Sequence, residues 1–386
     1  TYLDLGQLEK AEETYEKENR ILRQVTYRWV KPFDDTQYIN SVFDEVESPI
    51  FRPKGHLGDL LGDLHRGWFL VLMGPMKRGK TFGLQDIAID AMMSRKRVAY
   101  ISLEMKDRHL SPRFYKQIGI FGDIEDDYVF PCFDCCNNQE GTCGKNIRQN
   151  KVVYPGSFDS TSSYKPCIAC RKIESEKKDF LPTVYHFKAS RPKLSLPKTK
   201  QELQSFNKMF GKNLLRMASF PAYSATMKDV ERALDELEQE EDFIPDVIIT
   251  DYLSIIAPEF QYKDPRFSID DVAKAHKRLA GERSALVVTG AQSLGVGRSA
   301  LNKDMQDESD IGHDAYILGH VDIMIALDQT PDEKENGVWR IGVIEHRWRK
   351  FNKRRQVLTL QQLELGQPSI DTEMVYWSGR GRKDDE

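Results

Sequence analysis

Residues 69–81 read Phe-Leu-Val-Leu-Met-Gly-Pro-Met-Lys-Arg-Gly-Lys-Thr, and they decide the fold. The first five are a short apolar run suited to a buried strand. Gly74 to Thr81 then fits the pattern G-x-x-x-x-G-K-[ST], and the stretch Thr81–Met93 that follows is helical in character. A phosphate-cradling loop needs a strand before it and a helix after it. Its glycines let successive backbone N–H groups curl around phosphate oxygens, and the positive end of the following helix points at them. On this reading Gly74, Gly79, Lys80 and Thr81 bind a nucleotide. Lys80 reaches the β- and γ-phosphates, and the Thr81 hydroxyl faces Mg²⁺.

Working outward, Arg97–Leu103 is the next expected strand, followed by a helix near Arg108–Gln117. Ser102-Leu103-Glu104 puts a carboxylate at that strand's end, where it is placed to polarise a water attacking the γ-phosphate. Val247-Ile-Ile-Thr-Asp251 is an apolar strand ending in a second carboxylate, which suits the Mg²⁺ shell. Gln292 follows the strand Ala285–Thr289 and is a neutral amide able to sense the γ-phosphate. Further strands are expected at 321–327, 339–344 and 356–361, and helices at 227–241 and 269–281. Apolar strands alternating with amphipathic helices imply βαβ units and a parallel sheet covered on both faces. In such sheets ligands sit beyond the carboxyl ends of the strands.

Composition bounds the alternatives. The chain has 386 residues and a net charge of −4, and no apolar run approaches the roughly 20 residues of a membrane-spanning helix. No membrane partner is expected. The chain starts at Thr1 without a basic, apolar leader, so a cytoplasmic protein is expected. All six cysteines fall between Cys132 and Cys170. That clustering points to a metal site in a reducing compartment rather than to spread disulfides. Cys132-Phe-Asp-Cys135 and Cys167-Ile-Ala-Cys170 are two C-x₂-C pairs suited to tetrahedral structural Zn²⁺. Cys136 and Cys143 are additional thiols, and Cys143, in a tight turn between Gly141 and Gly144, is an alternative to one of the first pair. The expected organisation is a helix and linker over 1–55, an α/β core over 56–121, a zinc-binding insert over 122–190 and the rest of the core, with a tail, over 191–386.

The order of these signatures resembles the RecA-like P-loop ATPase domain of DnaB-type replicative helicases. The resemblance rests on Gly62-Asp-Leu-His-Arg-Gly67 leading into the phosphate loop, Tyr100-Ile-Ser-Leu-Glu-Met105 with Arg113 beyond it, Asp251-Tyr-Leu-Ser-Ile-Ile256, Thr289-Gly-Ala-Gln-Ser-Leu294 and Gly319-His-Val-Asp322. It covers roughly 56–120 and 214–362 and implies a parallel-dominated α/β core. It also implies a ring, hexameric in this family, that hydrolyses ATP with Mg²⁺ between subunits and translocates on single-stranded DNA. The family supplies a cation in trans from a basic motif after a late strand. Here that stretch is Glu345-His-Arg-Trp-Arg-Lys350, leaving Arg347 and Arg349 as candidates. Residues 345–355 hold six Lys/Arg against one Glu, with Trp348 and Phe351 interleaved, a composition that also suits nucleic-acid contact. Loop 294–312 corresponds to the family's central DNA-binding loop, with Arg298 and Lys303 facing phosphates. Helix 6–30 resembles the family's linker helix. A primase or a loader is an expected partner. With only residues 1–55 ahead of the core, the cellular primase-interacting domain is expected to be missing, an economy that suits a phage protein in its host's cytoplasm. A recombinase filament of the RecA/RadA kind and a non-motor ATPase switch, its zinc insert binding a protein partner, share many of these signatures.

Overall fold

The computed structural model describes residues 29–44, 49–75, 78–145, 164–172, 180–260, 262–292 and 315–376. Helix 6–30, but for its last two residues, and loop 294–312 with Arg298 and Lys303 lie outside the described residues. The chain divides into residues 1–48 and residues 49–386. In the first unit a helix spans Thr36–Asp44. It starts after Asp35, whose Oδ1 accepts the N–H groups of Gln37 (3.0 Å) and Tyr38 (3.1 Å), the local chemistry that turns a Pro-flanked stretch expected to be linker into a helix.

In the second unit, β1 (Phe69–Gly74), β2 (Val98–Ser102), β5 (Leu215–Ser219), β6 (Val247–Asp251), β7 (Leu286–Gln292), β8 (Ile323–Asp328), β9 (Val338–His346), β10 (Arg355–Gln362) and β11 (Gln367–Tyr376) make one sheet, and β3 (Asp126–Cys135) pairs with β4 (Pro182–Arg191) in another. The large sheet runs β11-β10-β9-β8-β1-β7-β6-β2-β5. From β5 to β8 every neighbouring pair is parallel. From β8 to β11 every pair is antiparallel. The sheet is therefore mixed, a parallel half extended by an antiparallel one. The connections between β8, β9, β10 and β11 are too short for the helical crossover that a parallel neighbour requires.

Alternation along β1 shows where the core sits. Leu70 and Leu72 join a cluster on one sheet face with Leu84, Ile87 and Ala91 of the helix Lys80–Met93. Phe69, Val71 and Met73 join a second cluster on the other face with Val230 and Leu234 of helix Met227–Glu241 and Ala273 and Leu279 of helix Pro265–Arg283. Period-2 strands buried on both faces read as continuous apolar runs, which is how Phe69–Met73 reads. Among the described residues no helix is long and apolar enough to cross a membrane.

Residues 122–190, expected to form a zinc-binding insert, contain the ten-residue strand β3 and most of its equally long partner β4, paired antiparallel with Phe130 opposite Phe187 and Phe133 opposite Val184. Phe130, Phe187 and Ala189 pack with Leu365 on one face, whereas Phe133 and Phe180 pack with Val338 and Leu360 on the other. One face of the strand pair thus touches Leu365 of the turn between β10 and β11, and the other touches Val338 of β9 and Leu360 of β10. Pro131 and Asp134 hide this alternation in the sequence.

Candidate nucleotide site

The turn after β1 ends at Gly79, whose φ of 85° is the left-handed conformation that glycine adopts without a Cβ penalty. A Cβ there would also stand 3.2 Å from the buried Trp339 ring. The helix then starts at Lys80, with its unpaired N–H groups at the carboxyl edge of the sheet. Lys80 Nζ donates to the carbonyls of Gly74 (2.9 Å) and Pro75 (3.0 Å), so the ammonium rests on the loop it closes. Burial pulls Lys80 down to about 8, against the upward pull of Glu104 and Asp251.

Asp251 ends β6 and is fully buried. Its Oδ1 accepts from Thr81 Oγ1 at 3.4 Å, and Oδ2 accepts from Tyr100 Oη at 3.1 Å. Burial raises Asp251 to about 6, with the Glu104 charge adding to the rise and the two hydroxyls opposing it. Strand register brings the remaining groups alongside. Ser102 is level with Asp251, and Gly74 is level with Gln292. Glu104 follows two residues after Ser102 and is exposed. Gln292 Nε2 donates to Tyr252 Oη at 2.7 Å, and the Lys80 ammonium lies 5.9 Å from the Tyr252 ring centroid. Lys80, Thr81, Glu104, Asp251 and Gln292 therefore meet at the carboxyl ends of four adjacent strands. Such an edge can hold a nucleoside triphosphate by its phosphates and present one carboxylate to a cation and another to water.

Sequence reasoning assigned no role to Tyr100 and Tyr252. Tyr100 is a buried hydroxyl inside an otherwise apolar strand, and that was its signal, because a buried phenol seeks a partner. Tyr252 had none beyond its place next to Asp251. Arg113, noted in sequence only as a motif residue, has its guanidinium carbon 4.8 Å from the Phe82 ring centroid and lowers Asp251.

Arg347 and Arg349 stand elsewhere. His346 at the end of β9 is level with Ile323, and Ile323 is level with Leu70 at the start of β1. Arg347 Nη2 donates to Gly319 O at 3.1 Å, and Nη1 lies 3.7 Å from Asp322 Oδ1. Arg349 lies against Gly62. Both are separated from the Lys80 loop by nearly the length of β1, on the order of 16 Å at about 3.3 Å per residue.

The four cysteines expected to bind zinc are not brought together. Residues three apart on a strand point to opposite faces. Cys132 accordingly packs with Phe130, Phe187 and Leu365, while Cys135 packs with Phe133 and Phe180. Burial pushes the Cys132 thiol up to about 12, with Asp134 and Asp371 adding to the rise. Cys135, Cys167 and Cys170 border one cavity, and the fourth thiol there is Cys143. Among the described residues no three His, Cys, Asp or Glu side chains are close enough as placed to share a metal ion.

The fold is similar to that of solved structures that include ATPase domains. One solved structure, of an isolated ATPase domain, aligns with the chain at a TM-score of 0.55 and 14% identity, covering 89% of this chain and 99% of that one. A DnaB-like replicative helicase, described together with its interactions with primase, aligns at a TM-score of 0.55 and 14% identity over 86% of this chain and 66% of that one. In sequence, the chain is 24% identical over 327 residues to the DnaB-like replicative helicase of Enterobacteria phage T4, a distant likeness. The match takes in 82% of this chain but spans only 55% of that relative's length. No family model matches the sequence.

Proposed function

We propose that the chain is the ATP-hydrolysing motor of a ring-forming replicative DNA helicase. The observation that carries this is the meeting of Lys80, Thr81, Glu104, Asp251 and Gln292 at one sheet edge. The residues fit their ligand: a lysine held on its own loop carbonyls is free to exchange them for phosphate, and Thr81 and Asp251 already share one hydrogen bond, as two neighbours in a cation's shell do. In this reading the loop from Gly74 to Gly79 and Lys80 holds the phosphates of ATP. Thr81 and Asp251 hold Mg²⁺, which supplies charge neutralisation at the phosphates when bound. Glu104 takes the proton of the attacking water, its exposure leaving it open to solvent at the edge. Gln292 passes loss of the γ-phosphate through its bond to Tyr252 and along the chain into loop 294–312. Arg298 and Lys303 of that loop hold the phosphates of a single strand.

Arg347 or Arg349 completes the site of a neighbouring subunit, since neither reaches its own. The core comprises 56–121 and 191–386, interrupted by the insert 122–190 and preceded by a helix and linker over 1–55. A primase or loader is the proposed replication partner, in a phage-infected host's cytoplasm. The test is strand displacement on a forked duplex. The wild-type chain should unwind it only with ATP, and Glu104→Gln should bind ATP normally yet unwind nothing. Unwinding by Glu104→Gln at the wild-type rate contradicts the assignment.

A further inference from the structure

The thiols beside β3 and β4 take no part in the nucleotide edge. Cys135, Cys143, Cys167 and Cys170 border a single cavity of about 140 Å³, with Asn138 and Phe180 among its other walls. They arrive from three pieces of chain: the end of β3, the turn after the short helix Cys136–Gln139, and the segment holding the 3₁₀ turn Ala169–Lys172.

The protein's own hydrogen bonds bring these pieces together. Asp134 is fully buried, and its Oδ1 accepts the N–H groups of both Cys135 and Cys167, each at 2.7 Å. The same oxygen accepts from Asn138 Nδ2 at 3.0 Å, and Oδ2 accepts from Tyr164 Oη at 2.5 Å. One carboxylate therefore anchors two cysteine-bearing segments side by side. The third segment is folded back by the N–H groups of Thr142 (2.9 Å) and Cys143 (3.0 Å), both donated to Asn137 O across the left-handed Gly141. This polar frame orients backbone around a cluster of soft ligands, the role that outer hydrogen bonds play at metal centres.

We propose that Cys135, Cys143, Cys167 and Cys170 form a structural zinc site, and that Cys132 is not a ligand. Thiolates select a soft cation, and four with no open position make a closed, non-catalytic centre. Cys132 is excluded by strand geometry, because its side chain lies on the other face of β3 among Phe130, Phe187 and Leu365. The cavity is wider than one ion, so binding draws the thiols inward. Cys143 and Cys170, both only half-buried, sit on turns able to make that movement without disturbing β3. The few apolar residues on this face of the hairpin are a small core, and the ion adds the cross-link it lacks.

The test is the metal content of the full chain, expressed with added zinc and purified in reductant without chelator. Elemental analysis should find one zinc per chain, released by a mercurial thiol reagent. Cys143→Ser and Cys170→Ser should each lose it, and Cys132→Ala should keep it. Should the serine variants fail to fold, limited proteolysis of the wild type answers instead. Stripping the zinc should speed cleavage within 136–180, and adding zinc back should reverse it. Several results overturn the proposal: wild type with only a small fraction of one zinc, zinc lost from Cys132→Ala but kept by Cys143→Ser, iron with sulfide in place of zinc, or cleavage indifferent to stripping. None of these readouts depends on ATP hydrolysis or on the helicase reading.

Discussion

Lys80 and Asp251 carry the charges of the nucleotide edge, and burial shifts each toward neutrality, Lys80 to about 8 and Asp251 to about 6. Phosphate favours the charged lysine, so ATP binding takes up a proton once the pH passes about 8, and affinity falls there by up to about tenfold per pH unit. Mg²⁺ favours the charged carboxylate, so binding of Mg·ATP displaces a proton below about pH 6 and weakens as pH falls further. The dissociation constant of Mg·ATP, measured across this range, should pass through a minimum between about 6 and about 8. Lys80→Arg should bind more weakly but lose the alkaline limb, because guanidinium stays protonated. A wild-type profile flat to about pH 9 would count against a buried lysine on the phosphates. That Lys80, Thr81 and Asp251 come together was legible in the sequence because each belongs to a short local pattern. The hydroxyls of Tyr100 and Tyr252 were not assigned, since their partners lie 151 and 40 residues away.

The helix Lys80–Met93 links site to core: its first turn holds Lys80 and Thr81, and its next places Leu84, fully buried, against β1. Leu84→Ala should cost about 2–5 kcal/mol in chemical denaturation, the usual range for a buried leucine whose cavity does not collapse. Gly79→Ala should fold yet bind ATP poorly, as it must hold an alanine at φ 85° beneath Trp339. Thr226 and Asp229 form a reciprocal cap at the start of helix Met227–Glu241, so Thr226→Ala should cost about 1 kcal/mol in chemical denaturation. The parallel strands other than β5, and the helices packed on them, were readable because Val, Ile and Leu dominate those strands. β3 and β4 were not, because Pro131, Asp134 and the cysteines interrupt an alternation that register alone reveals. The helix Leu196–Phe210 and edge strand β5 were likewise not among the elements expected from the sequence.

For the molecule as a whole, one sheet carries the nucleotide edge at the carboxyl ends of its parallel strands and Arg347 and Arg349 near the opposite ends. On the proposed reading a single chain holds both halves of a site that a second copy joins, and no pattern in the sequence shows that separation. If one of the arginines acts in trans, its alanine variant should hydrolyse ATP about 10³-fold more slowly, the lower bound for loss of such a cation. Mixing that variant with Glu104→Gln should restore part of the rate, because mixed rings contain sites pairing an intact edge with an intact arginine. Additive, unrestored rates would place the arginine outside catalysis. Whether this edge is a DNA-driven motor is decided by ATP hydrolysis with and without single-stranded DNA. Hydrolysis by the wild-type chain should rise when single-stranded DNA is added and vanish in Glu104→Gln under both conditions. Hydrolysis indifferent to single-stranded DNA, or retained by Glu104→Gln, contradicts the motor reading.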